Sequence, residues 1–196
     1  MSTAPCAALL LTGGTSRRFG APKAEVQVEG ERLADRNARV LTTMAAPVLE
    51  VGPGYSTLDA VCEAEPGAGP LAGVAAGGAE LVAREAGDLP VLVLAVDLPF
   101  VDPALLRALA TAPAADAVVP RVDGHAQPLC ARYSPTALAR AAQLVAAGER
   151  SMRALLDALV VLWIDEPEWS AVTTARCFVD VDTPGDARRA GLQGPG

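Results

Sequence analysis

Leu9–Lys23, LLLTGGTSRRFGAPK, decides how this chain folds. A short apolar run stops at the paired glycines Gly13 and Gly14, and Arg17, Arg18 and Lys23 follow. Glycine lets backbone N–H groups approach an anion without a Cβ in the way, and the basic side chains supply the charge that phosphate oxygens need. A strand, a glycine-rich loop and a helix in this order mark the mononucleotide-binding half of a doubly wound sheet. The P-loop pattern is absent, since Gly20 is followed by Ala21, and so is the G-x-G-x-x-G spacing of a dinucleotide fold.

Leu92–Val101, LVLAVDLPFV, is a second apolar run, and it ends on a single carboxylate. A strand that carries Asp97 to its C-terminal tip could set a magnesium ion against the phosphates. Around these two runs, apolar segments alternate with amphipathic ones, the pattern of repeated strand–helix units and a mostly parallel sheet flanked by helices. Strands are expected at Ala7–Thr12, Val48–Val51, Val61–Glu63, Val91–Val96, Ala117–Pro120, Leu129–Tyr133 and Val160–Ile164. Helices are expected at Leu33–Ala45, Leu71–Arg84, Pro103–Ala110, Pro135–Ala147, Ser151–Asp157 and Pro184–Ala190. Asp102, Ser134 and Thr183 each precede a proline and read as helix caps. The loop Glu65–Leu71, EPGAGPL, feeds a helix from a strand end, where ligands of open α/β sheets bind. One domain over residues 1–191 and a frayed tail at 192–196 complete the layout.

Bulk properties narrow the function. The chain has 196 residues and a net charge of −7, which argues against nucleic acid or an anionic membrane surface as partner. Its hydrophobic residues reach 51% with only 4% aromatics, so the core must be aliphatic. Cys6, Cys62, Cys130 and Cys177 lie far apart without a C-x-x-C pair and read as free, mostly buried thiols. No apolar run is long enough to span a bilayer and no leader pattern stands out, so a cytoplasmic protein is expected. His125, in a DGHAQP loop, reads as an exposed turn residue.

GGTSRRFGAPK resembles the GGxSxRxGxxK signature of the nucleotidyltransferase family that includes the molybdenum cofactor guanylyltransferases. GPLAG at Gly69–Gly73, DLPFV at Asp97–Val101, QPLCARY at Gln127–Tyr133, AAGERSMRALL at Ala146–Leu156 and FVDVDTPGDARRA at Phe178–Ala190 are similar to the same family. The likeness spans nearly the whole chain. It implies a nucleotide-diphospho-sugar transferase type of fold and a reaction in which GMP passes from GTP to molybdenum-bearing molybdopterin with loss of pyrophosphate. Mg²⁺ would be the cofactor, and a molybdoenzyme or its chaperone the client.

By that resemblance Leu11, Thr12, Gly13 and Gly14 contact the nucleotide together with Lys23, Gly52, Glu65, Gly69 and Asp97. Arg18, Lys23 and Asp97 carry catalysis, with Arg17 as the competing arginine. Asp97 is the expected metal ligand, and Asp182 a second. Asp180 and Asp182 fall on one face of an extended VDVD segment, where they complete the metal site, orient the acceptor or cap the helix at Pro184. Gln127 and Pro128 are the other acceptor-side candidates. Relatives tend to carry an aspartate where Ala64 stands here, so Glu63 or Glu65 is the open substitute. The paired glycines favour guanylyl over cytidylyl relatives. Two rivals remain: a nucleotidyltransferase using CTP or another phosphorylated acceptor, and a non-catalytic nucleotide-binding adaptor that delivers the cofactor.

Overall fold

The computed structural model describes residues 5–13, 20–63 and 67–192. In chain order the elements are β1 (Ala7–Leu11), β2 (Gln27–Val28), β3 (Glu31–Arg32), α1 (Leu33–Thr42), β4 (Val48–Val51), β5 (Asp59–Val61), α2 (Pro70–Ala83), β6 (Val91–Ala95), α3 (Pro103–Thr111), β7 (Ala117–Val122) and β8 (His125–Ala126). They continue with β9 (Cys130–Tyr133), α4 (Pro135–Ala146), α5 (Met152–Asp157), β10 (Val161–Ile164), α6 (Glu166–Trp169) and α7 (Pro184–Arg189). The main sheet runs β10-β7-β9-β6-β1-β4-β5, with β8 added to β7. Along that path only β9 is reversed, pairing antiparallel with both β6 and β7.

Successive strand residues face opposite sides of a sheet, so the buried strands divide their side chains between two apolar layers. Ala8, Leu10, Leu92 and Leu94 join α1 and α3 in one layer, while Ala7, Leu9, Val91 and Val93 join α2, α4 and α5 in the other. The expected doubly wound, mostly parallel α/β sheet is therefore what the chain forms. Close approach of α2 to the sheet depends on Gly77, where a Cβ would come within 2.6 Å of Leu9 Cδ1 and 3.0 Å of Val51 Cγ2.

The expected caps are in place. Asp102 accepts from the N–H groups of Ala104 and Leu105 at 2.9 Å each, Ser134 Oγ accepts from Ala137 N at 3.1 Å, and Thr183 forms a capping box with Asp186. All four cysteines are free, and only Cys62 is exposed. Among the described residues no helix is long and apolar enough to cross a membrane. Leu192 is buried and its N–H donates to Ala187 O, so packed structure reaches one residue into the stretch expected to fray; residues 193–196 lie outside the described residues.

Several short elements differ from expectation. β5 lies two residues earlier than Val61–Glu63, and β2, β3, β8 and α6 were not foreseen. Glu29 and Gly30, and again Asp123 and Gly124, have positive φ at the centre of two-residue hairpin turns. That conformation matches the twist of antiparallel strands and explains both small ribbons. Two-residue strands carry no periodicity from which to read them.

The reversed strand has a consequence for α3. Arg132 on β9 is buried, and its guanidinium donates to Ala110 O at 3.1 Å, Ala112 O at 2.8 Å and Pro113 O at 2.7 Å. Ala110 O belongs to the last turn of α3 and the other two carbonyls to the chain just past its end, so a buried cation meets partial charges of the right sign. Burial still lowers its pKa from the usual arginine range. Arg132→Met should cost roughly 2–4 kcal/mol in urea denaturation, because buried carbonyls lose their donor. A loss within about 0.5 kcal/mol, the range of a neutral surface change, would contradict this role.

Candidate functional site

Strand order reverses between β1 and β6: the chain passes from β1 towards β4 and β5 on one side, and β6 leads to the other. In open α/β sheets a crevice forms at the carboxyl ends on either side of such a point. Leu11 and Ala95 are paired there, and Val96 N donates to Leu11 O at 3.0 Å.

On the β4 side, the N–H groups of Thr12 and Gly13 both donate to Val51 O, at 3.0 and 3.2 Å. The donor expected to face phosphate at Gly13 is thus engaged by the continuing parallel ladder. Thr12 Oγ1 donates to Glu50 Oε1 at 2.6 Å. Glu50 is fully buried in a strand that otherwise reads as apolar, and it also accepts from Gly54 N, Tyr55 N, Ser56 N and Ser56 Oγ at 2.6–3.0 Å. Burial pushes its carboxyl up, but the donors from Ser56, Thr12 and Tyr55 outweigh burial and hold it below the usual range. At Gly52, with φ of 152°, a Cβ would lie 2.1 Å from Thr12 Oγ1, so no larger residue fits beside this bond. Glu63 reaches over the same wall: its Oε1 is 3.5 Å from where a Cβ on Gly13 would be and 3.0 Å from that on Gly73, in the first turn of α2.

On the β6 side, Lys23 is the meeting point. Its ammonium donates to Asp97 Oδ2 at 2.9 Å and to Asp182 Oδ1. Burial works against its charge, and the two carboxylates more than offset that, so its pKa is raised. Asp180 is pushed up by burial and by Asp182 and Asp97 nearby, with Lys23 pulling the other way. Val181 N donates to Asp97 O at 3.0 Å, joining the VDVD segment to the loop after β6.

Several residues that sequence reasoning passed over hold this arrangement. Asn37, buried on α1, donates to Val96 O at 3.2 Å, and Arg36 donates to Pro99 O at 2.9 Å. The chain returning towards Asp182 is fastened by Trp169 Nε1 to Arg121 O at 2.9 Å and by Thr173 Oγ1 to Asp102 Oδ2 at 2.6 Å. The Arg176 guanidinium lies 4.0 Å over the Phe100 ring and pins the same return. Asn37 alone had a local signal, an amide on the buried face of an amphipathic helix.

Leu11, Thr12, Gly13, Gly52 and Asp97 thus lie at the ends of neighbouring strands, with Lys23 and Asp182 among them. Gly69, with φ of 96°, opens α2, and a Cβ there would lie 3.4 Å from Arg150 O. Gln127 and Pro128 precede Leu129, whose carbonyl accepts from Ala95 N at 2.8 Å, so they flank the end of β6. Asp180 sits one residue before the Val181 tie. Gly14, Arg17, Arg18 and Glu65 lie outside the described residues. His125 is exposed, as expected. Among the described residues no three His, Cys, Asp or Glu side chains gather closely enough to hold a cation unaided.

Comparisons with known proteins bear on the family and the fold. The profile of the MobA-like NTP transferase domain matches residues 8–162, from β1 into β10. A probable molybdenum cofactor guanylyltransferase of Chloroflexus aggregans is 36% identical over 196 aligned residues, covering 92% of this chain and 90% of its own. One from Opitutus terrae is 41% identical over 162 residues, 79% of each chain. The crystal structure of molybdopterin-guanine dinucleotide biosynthesis protein A from Archaeoglobus fulgidus matches with a TM-score of 0.77 at 25% identity, over 94% of this chain and 96% of that one. A 2-C-methyl-D-erythritol 4-phosphate cytidylyltransferase from Thermus thermophilus shares the fold, with a TM-score of 0.62 at 23% identity over 95% and 97% of the two chains.

The Glu50 cluster generates a pH prediction. A depressed carboxylate pKa contributes stability at neutral pH and loses it as pH falls through the folded-state value. Glu50→Gln should cost about 1–3 kcal/mol at pH 7, where the buried loop donors lose their charged acceptor. It should also flatten the loss of stability on acidification below about pH 4.5, the ordinary glutamate range. Urea denaturation of both proteins from neutral to acid pH checks this, and parallel pH profiles would refute it.

Proposed function

Because the chain belongs to the MobA-like NTP transferase family and is a nucleotidyltransferase, we propose that it transfers GMP from GTP to molybdenum-bearing molybdopterin, forming the guanine dinucleotide cofactor and pyrophosphate. The observation that carries the reading is the convergence of Lys23, Asp97 and Asp182 on the strand ends at the point where sheet order reverses. A terminal phosphate oxygen of the acceptor attacks the α-phosphorus of GTP, and the bond from that phosphorus to the oxygen bridging to the β-phosphate breaks. No side-chain nucleophile is needed, so the protein's task is positioning and charge neutralisation.

Lys23, with Arg18 from the same loop, would neutralise the triphosphate, which Leu11, Thr12, Gly13, Gly14, Gly52 and Gly69 would cradle. The hard oxygens of Asp97 and Asp182 fit Mg²⁺, which takes one or two carboxylates and completes its shell with phosphate and water. When bound, that ion would supply charge stabilisation at the reacting phosphate. Gln127, Pro128 and Asp180 would face the acceptor. The reaction belongs in the cytoplasm, with a molybdoenzyme or its chaperone receiving the product.

Of the two open glutamates, Glu63 lies among the described residues, and its carboxylate reaches between Gly13 and α2, which makes it our candidate for reading the base. Guanine presents adjacent N1–H and N2–H donors to a carboxylate, whereas cytosine presents one donor beside two acceptors that repel it. Glu63→Ala should lower kcat/KM for GTP by roughly 10- to 100-fold, as expected for a lost hydrogen bond to a charged group, and narrow the preference over CTP. An unchanged GTP to CTP ratio would remove Glu63 from base selection.

Pyrophosphate release with each nucleotide and purified molybdopterin tests the whole reading. GTP should support turnover, and Asp97→Asn should reduce it by roughly two orders of magnitude or more while the fold persists. Release with CTP alone would replace guanylyl by cytidylyl transfer. Turnover untouched by Asp97→Asn would leave the carboxylate without its assigned role.

A further inference from the structure

We infer that Lys23 is the resident counter-ion of the Asp97–Asp182 pair in the nucleotide-free enzyme, so that a divalent cation enters only with a triphosphate that draws the lysine away. The inference deepens the guanylyltransferase reading and rests on it for the identity of the triphosphate.

The geometry is one of shared occupancy. Lys23 Nζ lies 2.9 Å from Asp97 Oδ2 and bonds Asp182 Oδ1 as well, filling the space between the two carboxylates that a cation would take. A divalent ion held at about 2.1 Å from both oxygens cannot share that space with an ammonium group. The lysine is also the better sheltered partner, its side chain being 17% exposed against 25% for Asp97 and 48% for Asp182.

The competition favours lysine as long as the nucleotide is absent. Two carboxylates offer a bare Mg²⁺ few protein oxygens, and Mg²⁺ sheds water reluctantly. Among the described residues no third acidic, His or Cys ligand gathers with them. A triphosphate changes both sides of the balance at once. Its oxygens fill further positions around the metal, and its negative charge gives the ammonium a new partner.

The backbone supports a movement confined to the side chain. Lys23 opens a 3-10 turn, Lys23–Glu25, in which Val26 N and Glu25 N close hydrogen bonds to Lys23 O and Pro22 O at 3.1 Å each. Ala24 and Val26 beside it are buried in the core shared with α1. The Cα is therefore fixed, and the flexible four-carbon stem can carry the charge from the carboxylates to a phosphate. Metal and nucleotide then bind cooperatively, and by linkage each raises the affinity for the other by the same factor.

Mn²⁺ binding by electron paramagnetic resonance tests this without turnover, on wild type, Lys23→Met and Lys23→Gln, each with and without GTP and in the absence of acceptor. Without nucleotide, both variants should bind Mn²⁺ roughly tenfold or more tightly than wild type, because the competing positive charge is gone. Mn²⁺ should raise the Tm of the variants and leave that of wild type unmoved. GTP should strengthen Mn²⁺ binding in wild type by a larger factor than in either variant. Equal nucleotide-free affinities in all three proteins overturn the inference while the metal reading stands. Failure of wild type to bind Mn²⁺ even with GTP present, beyond what GTP itself holds, overturns the metal reading first. A variant that folds only when Mn²⁺ is supplied supports the inference, since the metal then replaces the ammonium. If neither variant folds even with excess Mn²⁺, the two cations are not interchangeable and the inference falls.

Discussion

The ammonium of Lys23 is shared by carboxylates that lie 74 and 159 residues further along the chain. No local propensity brings those three positions together; the strand order does. Asp97 arrives on the loop after β6, which is hydrogen-bonded to β1, and Asp182 on a return segment that the backbone of Asp97 itself receives through Val181. Without Lys23 the two acids would face each other unneutralised in a partly closed space. The pair energies are not additive here, because removing any one of the three changes the charge state seen by the others.

The opposite wall is built on a different constraint, the burial of Glu50. A fully buried carboxylate is tolerable only when nearly all its acceptor capacity is used. The chain meets that demand by folding residues 52–56 tightly around it, so that backbone N–H groups and the hydroxyls of Thr12 and Ser56 all donate to it. The first residue past β1 is thereby tied to the loop past β4, and Gly52 is the one residue type that leaves room for the tie. The two walls therefore differ in kind. One is a satisfied network that rigidifies, and the other is an ion cluster whose cation could be exchanged.

Much of the frame was legible in the sequence because it is written in local terms. Apolar runs such as Leu92–Val96 and capping residues such as Asp102 and Thr183 depend on neighbours a few positions away, and the structure bears them out. Asp97 and Lys23 were legible as types, a lone acid at a strand tip and a lysine after a glycine loop. Their direct contact was not, since it depends on the crossover of β6 beside β1. Glu50 was hidden because a strand of Val, Leu and Val absorbs one acid without losing its pattern. The reversal of β9 was equally hidden, because a short buried strand reads alike in both directions. Gly13 was legible as a point of close approach, but the tie of its N–H to the backbone of β4 was not, since it depends on how β1 and β4 pair beyond their ends.

An acidic protein that handles two anionic substrates poses an electrostatic problem, and the placement of charge answers it. At physiological ionic strength a charge is screened over about 8 Å, so the net −7 of the whole chain matters less to a triphosphate than the few groups within that distance. Lys23 is such a group, yet in this arrangement its charge is already balanced by Asp97 and Asp182. The cleft near it therefore offers an anion little attraction until a second cation takes over the carboxylates. An ion arriving alone gains two acids and must displace a lysine with nowhere better to go. A triphosphate arriving alone must compete with two acids for that lysine. Only their joint arrival satisfies every charge, and for that reason the acidity of the site, which looks unsuited to phosphate, selects for the metal–nucleotide complex.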